Sequence, residues 1–223
     1  MVNGFGCIAV VLGLLGGSVV APIAAQAQSR GFVGGTIGVS LEPPGPADPT
    51  GRFLDSGLGG RALAGGLSAG VTVSPRVEIG FEASFVRGFT GEQRAPRLDA
   101  RYERTHQDAI VSGVVRYRFS NRFAGVVGGS LVRSTTSEIR TDRRFVVGPG
   151  GAGYVDETFF RDYVHISPGV VLGGDLTVAR WGRVVVAPSI RLYWFDQNDE
   201  DASTGLGLGS FVARPAVNAE VNF

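Results

Sequence analysis

The sequence contains no lysine, so all 21 of its basic residues are arginine. They are balanced by 20 acidic residues, which leaves a formal net charge of +1. This balance lacks the basic excess typical of proteins that bind nucleic acid, so nucleic acid is not an expected partner. The chain has one cysteine, Cys7, which excludes an intramolecular disulfide framework and a metal site built on several thiolates.

Helical periodicity is also missing. No segment shows a convincing apolar stripe with the 3.6-residue period of an amphipathic helix. The chain has 35 glycines and is 43% hydrophobic, so it is too rich in glycine for a helical protein and too apolar for a disordered one. Its 223 residues are enough for one domain of ordinary size.

The N-terminal stretch has the features of a secretory leader. CIAVVLGLLGG is an apolar core of suitable length, and APIAAQAQ supplies small residues around a cleavage site after Ala27. The alternative is an uncleaved membrane helix over residues 5–25, although glycines and Pro22 interrupt it. We expect a signal peptide over residues 1–27 and one mature domain over residues 28–223.

The rest of the chain alternates apolar and polar residues, which is the period of a β-strand. In RVEIGFEASF, for example, Val77, Ile79 and Phe81 share one face, and Glu78 and Glu82 share the other. Most runs are near or above the ~10 residues that a tilted membrane strand needs. They cover residues 31–41, 58–73, 76–88, 105–119, 122–133, 159–179, 183–195 and 206–223.

The connections between these runs alternate in length. VSPRV, FSNRF and ARWGRV are tight turns that contain proline, asparagine or glycine. Between them lie long polar stretches, expected to be loops: EPPGPADPTGRFLDSG, TGEQRAPRLDARYER, STTSEIRTDRRFVVGPGGAGYVDET and DQNDEDASTG. Short turns at one end and long loops at the other are typical of transmembrane barrels. The sequence therefore predicts an all-β, up-and-down antiparallel transmembrane barrel of about eight strands.

Charged residues fall on the less apolar face of these runs, and both signs are present. A membrane barrel would turn this face inward, where buried charges pair across the lumen. A secreted soluble barrel is the alternative, and it would bury the apolar face instead. We favour the membrane barrel and expect a lumen charge network of Glu78, Glu82, Asp108, Arg116, Arg118, Arg161, His165, Asp175, Arg191, Arg214 and Glu220.

Aromatic residues gather near the ends of the runs. Apolar rings with a polar edge favour the membrane–water interface, where they form girdles. The expected girdle consists of Phe119, Phe123, Phe159, Phe160, Trp181, Tyr193 and Trp194.

The chain ends in RPAVNAEVNF, in which Val217, Ala219, Val221 and Phe223 share one face. This ending, the leader and the rhythm of turns and loops resemble the small bacterial outer-membrane barrels of the OmpA/OmpX or opacity-protein type. The resemblance covers residues 28–223. It implies location in the bacterial outer membrane, contact with outer-membrane lipid and lipopolysaccharide, and recognition of the last strand by the barrel-assembly machinery.

Function is less constrained than fold. An eight-stranded barrel has a lumen just wide enough for its own side chains, so a structural plug is favoured over a narrow small-solute channel. The expected role is structural or interactive, with long loops that present a surface to ligands. Arginines in EQRAPRLDARYER and RTDRR are candidates for binding lipopolysaccharide phosphates. A solvated loop of mixed charge is the simpler interpretation.

One group of residues raises the alternative of an enzyme. His165, Ser167 and Asp175 share a strand face, and the His–x–Ser spacing is similar to that of lipid A deacylase barrels. Pro168 follows the pair where that family has asparagine, and the pair faces the lumen. A hydrogen-bond cluster is the favoured interpretation, and no enzymatic activity is expected. The acidic stretch DQNDED lacks the EF-hand pattern, so a solvated loop is the favoured interpretation and weak calcium binding at the cell surface is the alternative. No metal or other cofactor is expected.

Overall fold

The computed structural model describes residues 31–42, 60–95, 100–149, 151–195 and 211–223. The predicted leader, residues 1–27, lies outside these residues, as do DQNDED and most of the stretch that begins EPPGP. Within the described ranges, no helix is long and apolar enough to cross a lipid bilayer.

The described residues form one antiparallel sheet of nine strands. Alternating side chains and tight turns produce strands that each pair with the next along the chain. The strands are β1 (Gly31–Glu42), β2 (Gly60–Ser74), β3 (Val77–Ala95), β4 (Ala100–Arg118), β5 (Phe123–Gly148), β6 (Gly151–Leu176), β7 (Ala179–Trp181), β8 (Val184–Phe195) and β9 (Phe211–Asn222).

The sheet closes into a barrel because β1 pairs with β9. At the seam, the Gly31 amide donates to the Phe223 carbonyl at 3.0 Å, and the Phe223 amide donates back to the Gly31 carbonyl at 2.9 Å. Strands β6 and β7 both pair with β8, over successive parts of its length, so β7 continues β6. The ring therefore has eight strand positions, and the prediction of an up-and-down barrel of about eight strands is confirmed.

The two ends of the barrel differ. One end holds the tight connections at residues 75–76, 119–122 and 182–183, together with the paired Gly31 and Phe223. We call it the turn end. The opposite end, where β1 finishes at Glu42 and β8 at Phe195, is the loop end.

Two stretches predicted as loops are strand instead. TGEQRAPRLDARYER, apart from residues 96–99, belongs to β3 and β4. The longer polar stretch supplies residues 134–148 of β5 and 151–158 of β6. Polar composition predicts a loop, but a strand that lies in water beyond the bilayer needs no apolar face, so these polar segments can pair as strands. Cross-strand partners such as Glu138 with Arg161 and Arg143 with Asp156 are of opposite charge, which favours pairing.

The apolar face of the strands points outward. Ile37, Leu63 and Leu67 are 69%, 75% and 69% exposed, and the exterior carries comparable residues on every long strand. Charged side chains such as Glu78 and Arg116 are buried inside. A soluble barrel requires the reverse arrangement, so the soluble alternative is wrong and the apolar exterior is the surface that a bilayer covers.

Glycine allows close approach of strands at a few inward-facing positions. A Cβ atom on Gly128 of β5 would overlap the carbonyl oxygen of Gly113 on β4. One residue further, Gly129 faces outward, and a Cβ atom there would meet nothing within 4 Å. The backbone of the neighbouring strand therefore leaves no room for a side chain at position 128.

We predict that Gly128→Ala destabilises the barrel by about 1–3 kcal/mol, because the backbone of β4 or β5 must shift to admit the methyl group. Gly129→Ala is the matched control on the lipid face and should leave stability nearly unchanged. Equilibrium urea unfolding of the refolded protein in lipid vesicles measures both. Equal effects of the two substitutions would contradict the inferred packing.

Candidate functional site

Buried ion pairs fill the lumen near the turn end. The guanidinium of Arg116, on β4, binds both carboxylate oxygens of Glu220 at 2.7 and 2.9 Å. It also lies 3.2 Å from Glu78 and 3.0 Å from Asp175. Since these partners belong to β3, β6 and β9, one side chain joins three other strands across the lumen.

A second guanidinium completes this arrangement. Arg191, on β8, donates to both oxygens of Glu82 at 2.8 and 2.7 Å and to Asp175 at 2.7 Å. Such forked pairs are the strongest hydrogen bonds available to arginine. Arg118 contacts the second oxygen of Glu78 from the turn end.

We call these seven residues the ionic cluster: Glu78, Glu82, Arg116, Arg118, Asp175, Arg191 and Glu220. Three positive charges face four negative ones, so the formal charges nearly cancel. Near-complete pairing is what allows charged groups to remain in a region of low dielectric. The structure thus brings together seven of the eleven residues expected in the lumen network.

Asp108 and Arg214 belong to a second group, at the loop end. Asp108 accepts a hydrogen bond from the Ser134 hydroxyl at 2.8 Å and lies 3.7 Å from an Arg214 nitrogen. Glu42 and His106, which sequence reasoning missed, complete this loop-end cluster. The His106 Nε2 atom is 2.8 Å from Asp108 and 3.9 Å from Glu42. The available signal was the alternate spacing of His106 and Asp108 on one strand.

Apolar side chains also occupy the lumen. A contacting group of Ile110, Val132, Val171, Tyr193, Phe195 and Val212 is at most 5% exposed, and Val114 and Val126 belong to it. Tyr193 was expected in the exterior girdle, and that prediction is wrong. It faces inward because its neighbour Trp194 takes the outward position, and the Arg214 guanidinium lies 5.3 Å from its ring.

The inner face continues beyond the barrel rim on β4 and β5. There Arg104 donates to Glu138 at 2.7 Å, and both side chains are buried. Tyr102 is also buried, and burial raises the pKa of its hydroxyl. These residues were missed because they lie in segments interpreted as loops.

Arg161 and His165 do not join the ionic cluster. Arg161 is exposed on β6, beyond the barrel rim, so its assignment to the lumen network is wrong. His165 is half-buried and pairs in register with Ser134. Asp175 lies at the other end of β6 and is held by Arg116 and Arg191, so it is not available to His165 as a catalytic acid.

The other residues of the expected girdle lie outside the lumen. Phe119 and Phe123 stack at the turn end with ring centroids 5.6 Å apart, and Trp181 is exposed at the same end. Trp194 contacts Phe211 at the loop end, at 5.1 Å. Phe159 and Phe160 are exposed on β6 beyond its last pair with β8, so the structure places them off the barrel rim and contradicts their assignment to the girdle.

The last strand presents its alternate residues to the exterior. Val217, Ala219, Val221 and Phe223 are all exposed, while Asn218 and Glu220 are buried. The pairs between β1 and β9 are interrupted between Gly38 and Leu41, opposite Pro215, which has no amide hydrogen to donate.

The turn end opens into a cavity of about 310 Å³ above the ionic cluster. Arg116, Arg118, Asp175 and Glu220 form its floor, and the arginines that line its mouth are Arg76, Arg122 and Arg180. The lumen at this end is therefore a shallow polar vestibule closed below by ion pairs.

We predict that Arg116→Met destabilises the barrel by about 3–5 kcal/mol, because it leaves buried carboxylates without their cation. Arg143→Met removes an exposed arginine 4.0 Å from Asp156 and should cost no more than about 1 kcal/mol. Urea unfolding in lipid vesicles, followed by tryptophan fluorescence, compares them.

A double variant tests the cause of the loss. Adding Glu220→Gln to Arg116→Met removes one of the carboxylate charges left unpaired and should recover part of the lost stability. If the double variant is less stable by the full sum of the two single effects, the ionic cluster does not act as a coupled unit.

No protein-family model matches the sequence, and no curated protein matches it either. Among solved structures, the chain is similar to Neisserial surface protein A (NspA), with 13% identity, 86% of this chain and 97% of that chain covered, and a TM-score of 0.41. The chain is also similar to Ail, the attachment invasion locus protein of Yersinia pestis, with 11% identity, 87% of this chain and 99% of that chain covered, and a TM-score of 0.43. The N-terminal β-barrel domain of Pseudomonas aeruginosa OprF is 12% identical, with 88% of this chain and 100% of that chain covered and a TM-score of 0.34.

These similarities are too weak to bear on function. The fold rests on the chain's own strand pairing, on its closed seam, and on the faces that it turns outward and inward. This chain is a small up-and-down transmembrane β-barrel.

Proposed function

We propose that the chain is a non-enzymatic barrel of the bacterial outer membrane that supports the envelope and presents an interaction surface outside the cell. The observation that carries the proposal is the extension of β3, β4, β5 and β6 beyond the loop end of the barrel. We call this four-stranded extension the projecting sheet.

The projecting sheet has two free edges within the described part of the chain. Pairing of β2 with β3 ends at Ala64 and Val86, although β3 continues to Ala95. Pairing of β6 with β8 ends at Gly169 and Phe195, although β6 begins at Gly151. A free edge offers unpaired amide and carbonyl groups to an extended polypeptide, which is a common mode of protein recognition.

The tip of the projecting sheet is apolar as well as exposed. Phe145, Val147 and Tyr154 are 58%, 74% and 64% exposed, although they lie well beyond the belt that faces lipid. The rings of Phe145 and Tyr154 are 5.2 Å apart, and the Arg143 guanidinium lies 5.1 Å from Tyr154. Apolar and aromatic groups in such a position favour a protein partner over solvent alone.

Exterior arginines support contact with lipopolysaccharide. Arg61, Arg87 and Arg133 are exposed on β2, β3 and β5. Each is two residues beyond an exterior apolar residue, towards the loop end, and these are Leu63, Phe85 and Leu131. Guanidinium groups at the upper margin of an apolar belt are placed to bind phosphate groups of the outer leaflet.

The lumen favours a structural plug over a channel. The ionic cluster joins β3, β4, β6, β8 and β9 through short contacts, and buried apolar side chains lie in the same lumen. Passage of a solute would require these pairs to separate. The buried network therefore supports a role in stability.

We predict that a cysteine at the tip of the projecting sheet is accessible from outside the cell. Val147→Cys should react with a membrane-impermeant maleimide in intact cells, because the loop end faces outward. Asn121→Cys, at the turn end, is the matched control and should react only after the outer membrane is permeabilised. The sequence has no cysteine other than Cys7, so the label reports these sites once the leader is removed. Labelling of residue 121 alone in intact cells would overturn the orientation.

We also predict that replacing Arg61, Arg87 and Arg133 together by glutamine weakens binding of the refolded protein to lipopolysaccharide micelles. The loss should shrink as salt is added, because phosphate–guanidinium attraction is screened. Replacing Arg76, Arg122 and Arg180 at the turn end is the control with the same change in charge. If both triple variants lose affinity equally, the exterior arginines have no specific role.

A further inference from the structure

The loop-end cluster contains an imidazole and two carboxylates that face one another. Glu42 comes from β1, and His106 and Asp108 come from β4, two strands that are not neighbours in the barrel. One oxygen of each carboxylate and one ring nitrogen of His106 all lie within 4.8 Å of one another. All three residues are at most 4% exposed.

Glu42 is the least satisfied member of this group. Its side chain is 1% exposed, yet neither carboxylate oxygen has a hydrogen-bond partner among the described residues. The second oxygen of Asp108 is also without a hydrogen bond there. A buried carboxylate without compensation is strongly unfavourable, so such a group either takes up a proton or faces a cation.

The neighbouring arginine does not supply enough compensation. Arg214 directs its Nε atom to the Ser40 hydroxyl at 3.2 Å and an Nη atom to the Ser84 hydroxyl. Its remaining nitrogen is 3.7 Å from Asp108, which is beyond hydrogen-bond distance. With neutral imidazole, the two carboxylates and the guanidinium of this cluster together carry a formal charge of −1, counted over the described residues.

His106 is oriented by its other ring nitrogen. The Nδ1 atom lies 3.0 Å from the hydroxyl of Thr136, while Nε2 lies on the side of Asp108 and Glu42. Metal-binding histidines usually hold the second nitrogen in such a contact, which fixes the ring and its tautomer. Thr136 is 2% exposed, so this contact is shielded from solvent.

We propose that Glu42, His106 and Asp108 bind a divalent transition-metal ion of the zinc class. Zinc takes imidazole nitrogen and carboxylate oxygen at about 2.0–2.2 Å, often with three protein ligands and a water molecule. His106 Nε2 lies 2.8 Å from Asp108 and 3.9 Å from Glu42. Two ligand atoms bound to the same zinc ion lie at a separation between these two distances. Calcium and magnesium prefer oxygen ligands alone, so the imidazole favours the transition metal. The bound ion would join β1 to β4 across the loop end of the lumen.

The competing arrangement is a protonated His106 that neutralises the two carboxylates without a metal. The two arrangements differ at Nε2, which carries a hydrogen in one and a metal in the other. The chain has two histidines, so His165 serves as an internal reference.

The experiment uses the folded barrel in detergent micelles, treated with chelator and titrated with zinc ions at neutral pH. Isothermal titration calorimetry should show one saturable site per chain. ¹⁵N spectra of the imidazoles should show that Nε2 of His106 shifts on addition of zinc while His165 does not. Absence of saturable binding up to about 1 mM zinc, or a His106 ring that stays doubly protonated, would overturn the proposal.

Variants assign the site. Glu42→Gln and His106→Gln should each weaken zinc binding by at least about 100-fold, since even outer partners of metal ligands change affinity by about 10–100-fold. Thr136→Val should weaken it by about 10–100-fold, and His165→Gln should have no effect. Wild-type affinity in both Glu42→Gln and His106→Gln, or loss of binding in His165→Gln alone, would place the metal elsewhere. The spectra of the unaltered protein decide the question if a variant does not fold.

Discussion

The closed seam between β1 and β9 is the constraint on which the rest of the structure depends. A bilayer offers no hydrogen-bond partners, so a spanning sheet must pair every edge. The pairs between Gly31 and Phe223 complete the ring at the turn end. Once the ring is closed, alternating side chains have only two destinations, lipid and lumen. Within the barrel wall, most of the apolar residues face lipid and most of the charged residues face the lumen.

The lumen is where this constraint becomes a specific structure. Eight strand positions leave space for side chains only, and the sequence supplies both ionic and apolar side chains there, so the buried charges must be paired. Arg116 and Arg191 pair the buried charges, because each guanidinium contacts carboxylates from more than one strand. The same contacts that neutralise the buried charge also connect distant strands. Stability and closure of the lumen thus have one physical origin. Among the described residues, the loop-end cluster is where buried carboxylate oxygens, those of Glu42 and one of Asp108, lack a hydrogen-bond partner.

The fold was largely predictable because period-two alternation and turn residues are local signals. The position of Glu78, Arg116 and Glu220 on one face followed from parity alone. Their pairing did not, because contacts across a lumen depend on the stagger of strands far apart in sequence. The length of β5 and β6 was missed for a different reason. A polar composition indicates that a segment lies in water and not in the bilayer. It does not indicate whether that segment is a strand or a loop. Glu42 and His106 were missed because they join only when β1 and β4 face each other across the barrel.

The central claim is that the apolar face of a closed barrel is turned to lipid and its charged face is turned inward. Comparison of boiled and unboiled membrane fractions on an SDS gel tests it most directly. A closed barrel held by its seam and its ionic cluster resists SDS at room temperature, so we expect a band whose mobility changes on boiling and that fractionates with the outer membrane. A protein that is soluble without detergent and migrates identically before and after boiling would contradict the account.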